Sequence, residues 1–269
     1  MVSLLCYSVK LGLLYLICHL RCDFGNCNYY QIKEWLTLLS FIIHYNLYII
    51  LAIATIVSFV WLTHFKENLR IKWYAALIMA ILHTAIGVVC VKLFAVFEGL
   101  IGPGETGNLS LYGGVFLMPV FYFLGAKIFK RDVKMVFDVF SFPLIFTLFC
   151  SRFNCLINGC CIGQIIPGTE VRWPTREAEL VFYAVLLIIL DRKVAKKRFD
   201  GTVYPIYMLS YGIFRFIIEW FRESEHMFGV IHISHIWSVL SAAIGLAFLV
   251  YLNKDRKKSK KKSAMKRNT

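Results

Sequence analysis

Ser151-Arg152-Phe153-Asn154-Cys155-Leu156-Ile157-Asn158-Gly159-Cys160-Cys161-Ile162-Gly163 sets an arginine, two asparagines, three cysteines and two glycines between hydrophobic runs. Apolar segments collect such residues where they line a polar cavity or meet water. The stretch therefore reads as one half of an anion-binding site at the outer face of a bilayer, and the rest of the chain supports a membrane setting. Its 269 residues are 59% hydrophobic and 17% charged, with a mean hydropathy of +0.65. A soluble domain of this length does not carry so many apolar runs.

The net charge of +14 raises the question of nucleic acid, but its placement argues for another role. Nine of the 30 Lys and Arg residues lie between Lys254 and Arg267. A basic tail after an apolar run is the usual cytoplasmic end of a membrane protein, attracted to anionic headgroups. No nucleic-acid partner is expected.

Seven apolar segments follow one another. The first is Leu36–Leu62, closed by the basic loop Lys66-Glu67-Asn68-Leu69-Arg70-Ile71-Lys72. Trp73–Phe97, Leu111–Phe129 and Met135–Cys150 come next, the last carrying Asp138 and Pro143. Pro174 suits the first turn of a fifth helix reaching Leu190, followed by Val203–Phe221 and Ile233–Leu252. Loops after the first, third, fifth and seventh segments are rich in Lys and Arg, and those after the second, fourth and sixth are not. By the positive-inside rule this alternation puts residue 35 outside and the tail inside. The expected fold class is all-α: a polytopic membrane protein with seven core transmembrane helices and an additional N-terminal apolar segment, residues 1–34. Within it, Leu4–Leu20 reads equally as an uncleaved signal-like segment, an interfacial helix or a further span. Residues 35–252 form the seven-span domain and 253–269 the cytoplasmic tail.

Depth brings certain residues together. At a helical rise of about 1.5 Å per residue, Lys92 lies roughly 7–8 Å below the outer end of its segment and Arg215 roughly 9 Å below the end of its own. Arg152 caps the outer end of the fourth segment, Tyr112 opens the third beside Gly113-Gly114, and Arg222 sits at the rim. Three cations at one depth suit a phosphate, which arginine grips bidentately. The phosphate available there is a phospholipid headgroup. The plainer alternatives are that each cation snorkels to water or pairs locally, as Tyr211, Arg215 and Glu219 do along one helix face.

The cysteines leave several readings open. Cys155, Cys160 and Cys161 could pack, form a disulfide (with Cys22 or Cys27 as partners) or carry thiol chemistry. Their spacing fits no zinc pattern, so neither metal nor cofactor is expected. Cys6, Cys18, Cys90 and Cys150 behave as small hydrophobes. His44-Tyr45-Asn46 interrupts the first segment, and a shorter span starting near Tyr45 would put the trio at the boundary. His83 reads as a satisfied interior histidine.

Asp138…Pro143…Ser151-Arg152…Asn158-Gly159…Gly163 resembles the signature of bacterial prolipoprotein diacylglyceryl transferases. Gly201…Tyr207…Tyr211-Gly212…Arg215-Phe216…Glu219…Phe221-Arg222 resembles their second block, with weaker echoes at Lys92-Leu93-Phe94, Ser110-Leu111-Tyr112-Gly113-Gly114, Pro174-Thr175…Glu179 and His235…Ser238. The likeness runs from about residue 41 to 252 and leaves out residues 1–34. It implies a seven-span enzyme of the cytoplasmic membrane that moves the diacylglyceryl group of phosphatidylglycerol onto the lipobox cysteine of a prolipoprotein. Glycerol phosphate is released. Phosphatidylglycerol, prolipoprotein signal peptides and membrane lipids are the implied partners. Arg152 and Arg215 would hold the lipid phosphate, Tyr211 and Glu219 would orient Arg215, Asn158 and Lys92 would contact substrate, and Tyr112 would stand where a base is wanted. The chain departs from the family pattern at Tyr112 (histidine in the family), at Asn154-Cys155 (Gly-Asn), at Cys160 (glutamate), at His235 (glutamine) and at Lys92 (arginine). In these features it looks nearer to paralogues with a Cys-Cys-x-Gly signature.

Overall fold

The computed structural model describes residues 45–99, 109–196, 199–223 and 232–265. Leu4–Leu20, His44, Cys22 and Cys27 lie outside them, as does everything expected of residues 1–34. Among the described residues nine helices follow in order: α1 Asn46–His64, α2 Lys66–Leu69, α3 Trp73–Phe97, α4 Tyr112–Phe116, α5 Met118–Ile128, α6 Val133–Asn158, α7 Thr175–Ala195, α8 Val203–Glu219 and α9 Ile233–Met265. Among the described residues there is no strand, only isolated bridges pairing Gly163 with Arg222 and Ile165 with Arg172.

Among the described residues four helices are long and apolar enough to cross a membrane: α1, α3, α6 and the Ile233–Lys258 part of α9. The apolar stretch Tyr112–Ile128 is shorter, α8 has 17 residues, and α7 carries Arg176, Glu177, Glu179 and Asp191 within its length. Large apolar side chains such as Ile56, Val60, Ile78, Leu82, Phe123 and Phe248 stand exposed on the outside. That is how a helix reads when its surroundings are as apolar as its core.

Two prolines interrupt this framework, and both vacancies are filled. A proline offers no N–H to the carbonyl four residues before it. Pro143, inside α6, would orphan the Val139 carbonyl, and the Trp61 indole of α1 donates to it at 2.9 Å. Pro119 sits where the third apolar segment divides into α4 and α5. There the Val115 carbonyl accepts the Tyr204 hydroxyl of α8 at 2.5 Å. In hydrocarbon each such carbonyl must find a partner within the protein.

Asp138 lies in the second turn of α6 and is buried. Its carboxylate accepts the backbone N–H groups of Gly201 at 2.8 Å and Val203 at 2.9 Å, capping the start of α8 from a neighbouring helix. Glycines let α8 and α9 approach closely, as small residues do between membrane helices. A Cβ on Gly212 would lie 2.5 Å from the Ser238 carbonyl oxygen, and one on Gly245 would lie 2.8 Å from that of Pro205. His83 is buried and its Nε2 pairs with the Tyr122 hydroxyl at 2.8 Å, while its Nδ1 has no hydrogen-bond partner among the described residues, so the expected satisfied histidine is satisfied at one nitrogen only. Helix α9 continues past Leu252 into the basic tail to Met265, which suits lysine and arginine as good helix formers.

Candidate functional site

The C-terminal ends of α6 and α8 meet the N-terminal ends of α7 and α9, and there the buried charges collect. Arg152, in the last turns of α6, forms an ion pair with Glu179 of α7, its Nε 2.9 Å from Oε2. Arg215 of α8 reaches the other oxygen of the same carboxylate, Oε1, at 2.5 Å. A second arm of Arg215 holds Glu219 Oε2 at 2.8 Å, one helical turn on. Glu219 also faces Arg222 at 3.6 Å and His232 Nδ1 at 3.4 Å. Arg152 is 4% exposed, Arg215 6%, Glu179 2% and Glu219 1%. Ions so deep persist only when paired. Among these residues the guanidiniums of Arg152, Arg215 and Arg222 face the carboxylates of Glu179 and Glu219.

This arrangement refines the reading of Arg152 and Arg215. Sequence spacing puts them at one depth; the fold adds the carboxylate of Glu179, which both arginines grip. Tyr211 is buried against the group, its ring stacked with Tyr183 at 6.4 Å and edge-on to Tyr112 at 5.7 Å. The Tyr112 hydroxyl donates to the Ser234 carbonyl at 2.8 Å and pairs with Ser238 Oγ at 2.8 Å, which ties α4 to the start of α9. Asn158, at the end of α6, is exposed; it donates to Asn154 at 3.0 Å and accepts from Asn46 at 3.2 Å. It joins α6 to α1. Lys92 is exposed on α3, and among the described residues it forms no ion pair with the group.

Glu98 is a functional candidate that sequence reasoning did not single out, and Glu179 entered it only as part of a weak family echo. Glu98 follows the end of α3, and one of its oxygens is buried with no hydrogen-bond partner among the described residues. Burial pushes its carboxyl above the ordinary range, while Ser110 and the charge of Arg215 act against that rise. The Phe97-Glu98-Gly99 turn carries no periodic signal, so only the fold brings its carboxyl within the electrostatic reach of Arg215.

The segment after α6 closes over this end. Gln164 N–H donates to the Phe221 carbonyl at 2.8 Å and Glu223 N–H to that of Ile162 at 3.1 Å. Arg172 Nη1 spans the Gly163 carbonyl at 2.9 Å and Glu223 at 2.5 Å. Gly163 is required there, since a Cβ would fall 2.1 Å from the Trp173 carbonyl oxygen. Cys155, Cys160 and Cys161 are free thiols whose sulfurs all lie within 4.8 Å of one another. The spacing of these cysteines, with no zinc pattern in it, did not foretell the grouping.

The sequence profile described as Prolipoprotein diacylglyceryl transferase matches residues 35–251. Proteins named phosphatidylglycerol–prolipoprotein diacylglyceryl transferase are similar in sequence. The one from Mannheimia succiniciproducens is 31% identical over 184 residues, which is 61% of this chain and 64% of the relative. That from Pasteurella multocida is 32% identical over 159 residues, covering 54% of each. A Dehalococcoides mccartyi protein of the same name is 21% identical over 241 residues, 81% of this chain and 92% of the relative. The chain thus spans between half and two thirds of the length of the first two relatives. With a profile match over most of its length and buried arginines at both signature blocks, the chain belongs to the prolipoprotein diacylglyceryl transferase family.

Proposed function

We propose that this protein transfers the diacylglyceryl group of phosphatidylglycerol to the lipobox cysteine thiol of a prolipoprotein, at the outer face of the cytoplasmic membrane. The observation that carries the reading is the buried pair Arg152 and Arg215 locked on Glu179, with Arg222 beside them. In the reaction a thiolate attacks the glyceryl carbon, the carbon–oxygen bond to phosphate breaks, and its electron pair leaves with the phosphate oxygen. A phosphodiester monoanion becomes a phosphomonoester that carries more negative charge. Cations fixed beforehand where that charge grows lower the barrier. Glu179 and Glu219 hold the guanidiniums in place, ready to face an incoming phosphate.

Sidedness rests on the opposite end of the bundle. There Arg131 donates to the Arg70 carbonyl at 3.1 Å, Lys134 pairs with Asp255 at 2.9 Å, and Arg256 pairs with Asp200. The basic loops thus share one end and the arginine–glutamate group takes the other, as the positive-inside rule requires of a cytoplasmic and an outer face.

One observation bears on the base. The Tyr112 hydroxyl, at the position where a base is wanted, already donates to a backbone carbonyl. It serves as a tie and leaves proton removal to another group. The test is glycerol phosphate release by the full chain in phosphatidylglycerol vesicles with a lipobox peptide. Arg152→Ala and Arg215→Ala should each lower the rate by about 100-fold or more. Unchanged rates would end the phosphate-holding role, and lipid binding without release would favour a non-catalytic lipid-binding protein.

A further inference from the structure

Adjacent cysteines in an extended chain point to opposite sides, and a metal pattern is not legible in Cys160-Cys161. The fold changes that geometry. Gly159 ends α6 with φ 69°, and Cys161 takes φ 58°. Two left-handed residues curl the chain back over the helix end, where Cys155 stands in the last turn. Cys155 and Cys161 sulfurs come to 3.8 Å, and all three thiols lie within 4.8 Å of one another. Metal–sulfur bonds of about 2.3 Å at tetrahedral angles set ligand sulfurs about 3.8 Å apart. One pair already stands at that separation. The same distance is far outside a disulfide, whose sulfurs bond at about 2.05 Å.

The surroundings hold this geometry. A non-glycine residue in the left-handed region is strained, and such a conformation persists only where neighbours impose it. The Thr175 hydroxyl of α7 donates to the Cys161 carbonyl at 3.1 Å, and Gly163 is pressed against Trp173. Arg152 Nη1 lies 3.8 Å from the Cys161 sulfur and 4.0 Å from that of Cys155. Three thiolates around a divalent or monovalent ion leave a net negative charge, and this guanidinium is placed to balance it.

We propose that Cys155, Cys160 and Cys161 form a binding site for a thiophilic closed-shell cation, zinc or copper(I), at the rim of the arginine group. Soft thiolates select these ions over magnesium or calcium. Three protein ligands leave one tetrahedral position for water or an outside thiol.

The test takes the full chain in detergent, reduced and stripped of metal, and titrates it with zinc or copper(I) against competing chelators. Cobalt(II) serves as the spectroscopic probe. The expected result is one equivalent per chain, with a thiolate-to-cobalt charge-transfer band that zinc abolishes. Cys155→Ser and Cys161→Ser should each weaken zinc or copper(I) binding on the order of 100-fold, while Cys90→Ser and Cys150→Ser leave it unchanged. Tight binding by one ion alone identifies which of the two the site takes. Helical circular dichroism and gel-filtration position show whether each variant is folded. If serine at Cys155 or Cys161 unfolds the chain, alkylation by iodoacetamide decides: bound metal should protect those two thiols in the unaltered protein. Stoichiometric binding that survives replacement of all three cysteines overturns the proposal, as does a reduced chain that takes up no metal. A Cys155–Cys161 disulfide in freshly isolated protein, with no uptake after reduction, does the same. These readouts need no lipid transfer, so they stand or fall apart from the transferase reading.

Discussion

At the scale of single residues, the carboxylate of Glu179 does more for the site than any one arginine, because it fixes two of them at once. Glu179→Gln keeps the shape and removes the charge, leaving Arg152 and Arg215 buried beside each other. Breaking a buried pair in this way costs about 3–5 kcal/mol. The expected outcome is a lower melting temperature in detergent together with loss of glycerol phosphate release. A variant with both properties intact would mean that the arginines are held by something else. Arg152 and Arg215 were legible in the sequence because a charge inside an apolar run stands out. Glu179 was visible only as a weak family echo, since it follows Arg176 and Glu177 at the start of a helix that already looks charged. Glu98 was hidden for a similar reason: a carboxylate in a glycine-flanked turn looks solvated until folding turns it inward. The cysteine grouping depends on two backbone torsions, at Gly159 and Cys161, which no residue spacing encodes.

At the scale of elements, the apolar segments were legible because hydrophobicity and loop charge vary together along this chain. The break between α4 and α5 was not expected within Leu111–Phe129, although Pro119 lies in that segment. The reason the segment tolerates the break is a residue far away in sequence, Tyr204, whose hydroxyl satisfies Val115. Tyr204→Phe removes that donor and leaves a buried carbonyl unpaired, at a cost of about 1–3 kcal/mol. Thermal unfolding should report the loss, and a variant as stable as the original protein would mean that the carbonyl has another partner. Asp138 follows the same logic with the sign reversed. It is a charge in an apolar helix whose purpose lies at the start of α8, in the backbone N–H groups of Gly201 and Val203.

At the scale of the whole molecule, charges divide by end: a buried, mutually paired group at one pole and exposed basic loops at the other. Asp200 ties the basic pole together. Burial would raise its carboxyl, but the hydrogen bond from Thr202 and the charge of Lys193 outweigh it and hold the group below its ordinary value of 3.8. A depressed folded value means stability that is present above about pH 3.8 and is lost as the pH falls through the lower folded value. Asp200→Asn should therefore lower the melting temperature at neutral pH and make little difference below that window. An equal loss at both pH values would assign the effect to packing. The two proline vacancies have a consequence at this scale for the order in which the molecule is made. A chain synthesised from its N-terminus has Trp61 in place before Val139 emerges, so that carbonyl finds its donor waiting. Val115 emerges long before Tyr204, so the third apolar segment must enter the bilayer with its partner still unmade. One gap closes as it forms, and the other stays open until α8 arrives.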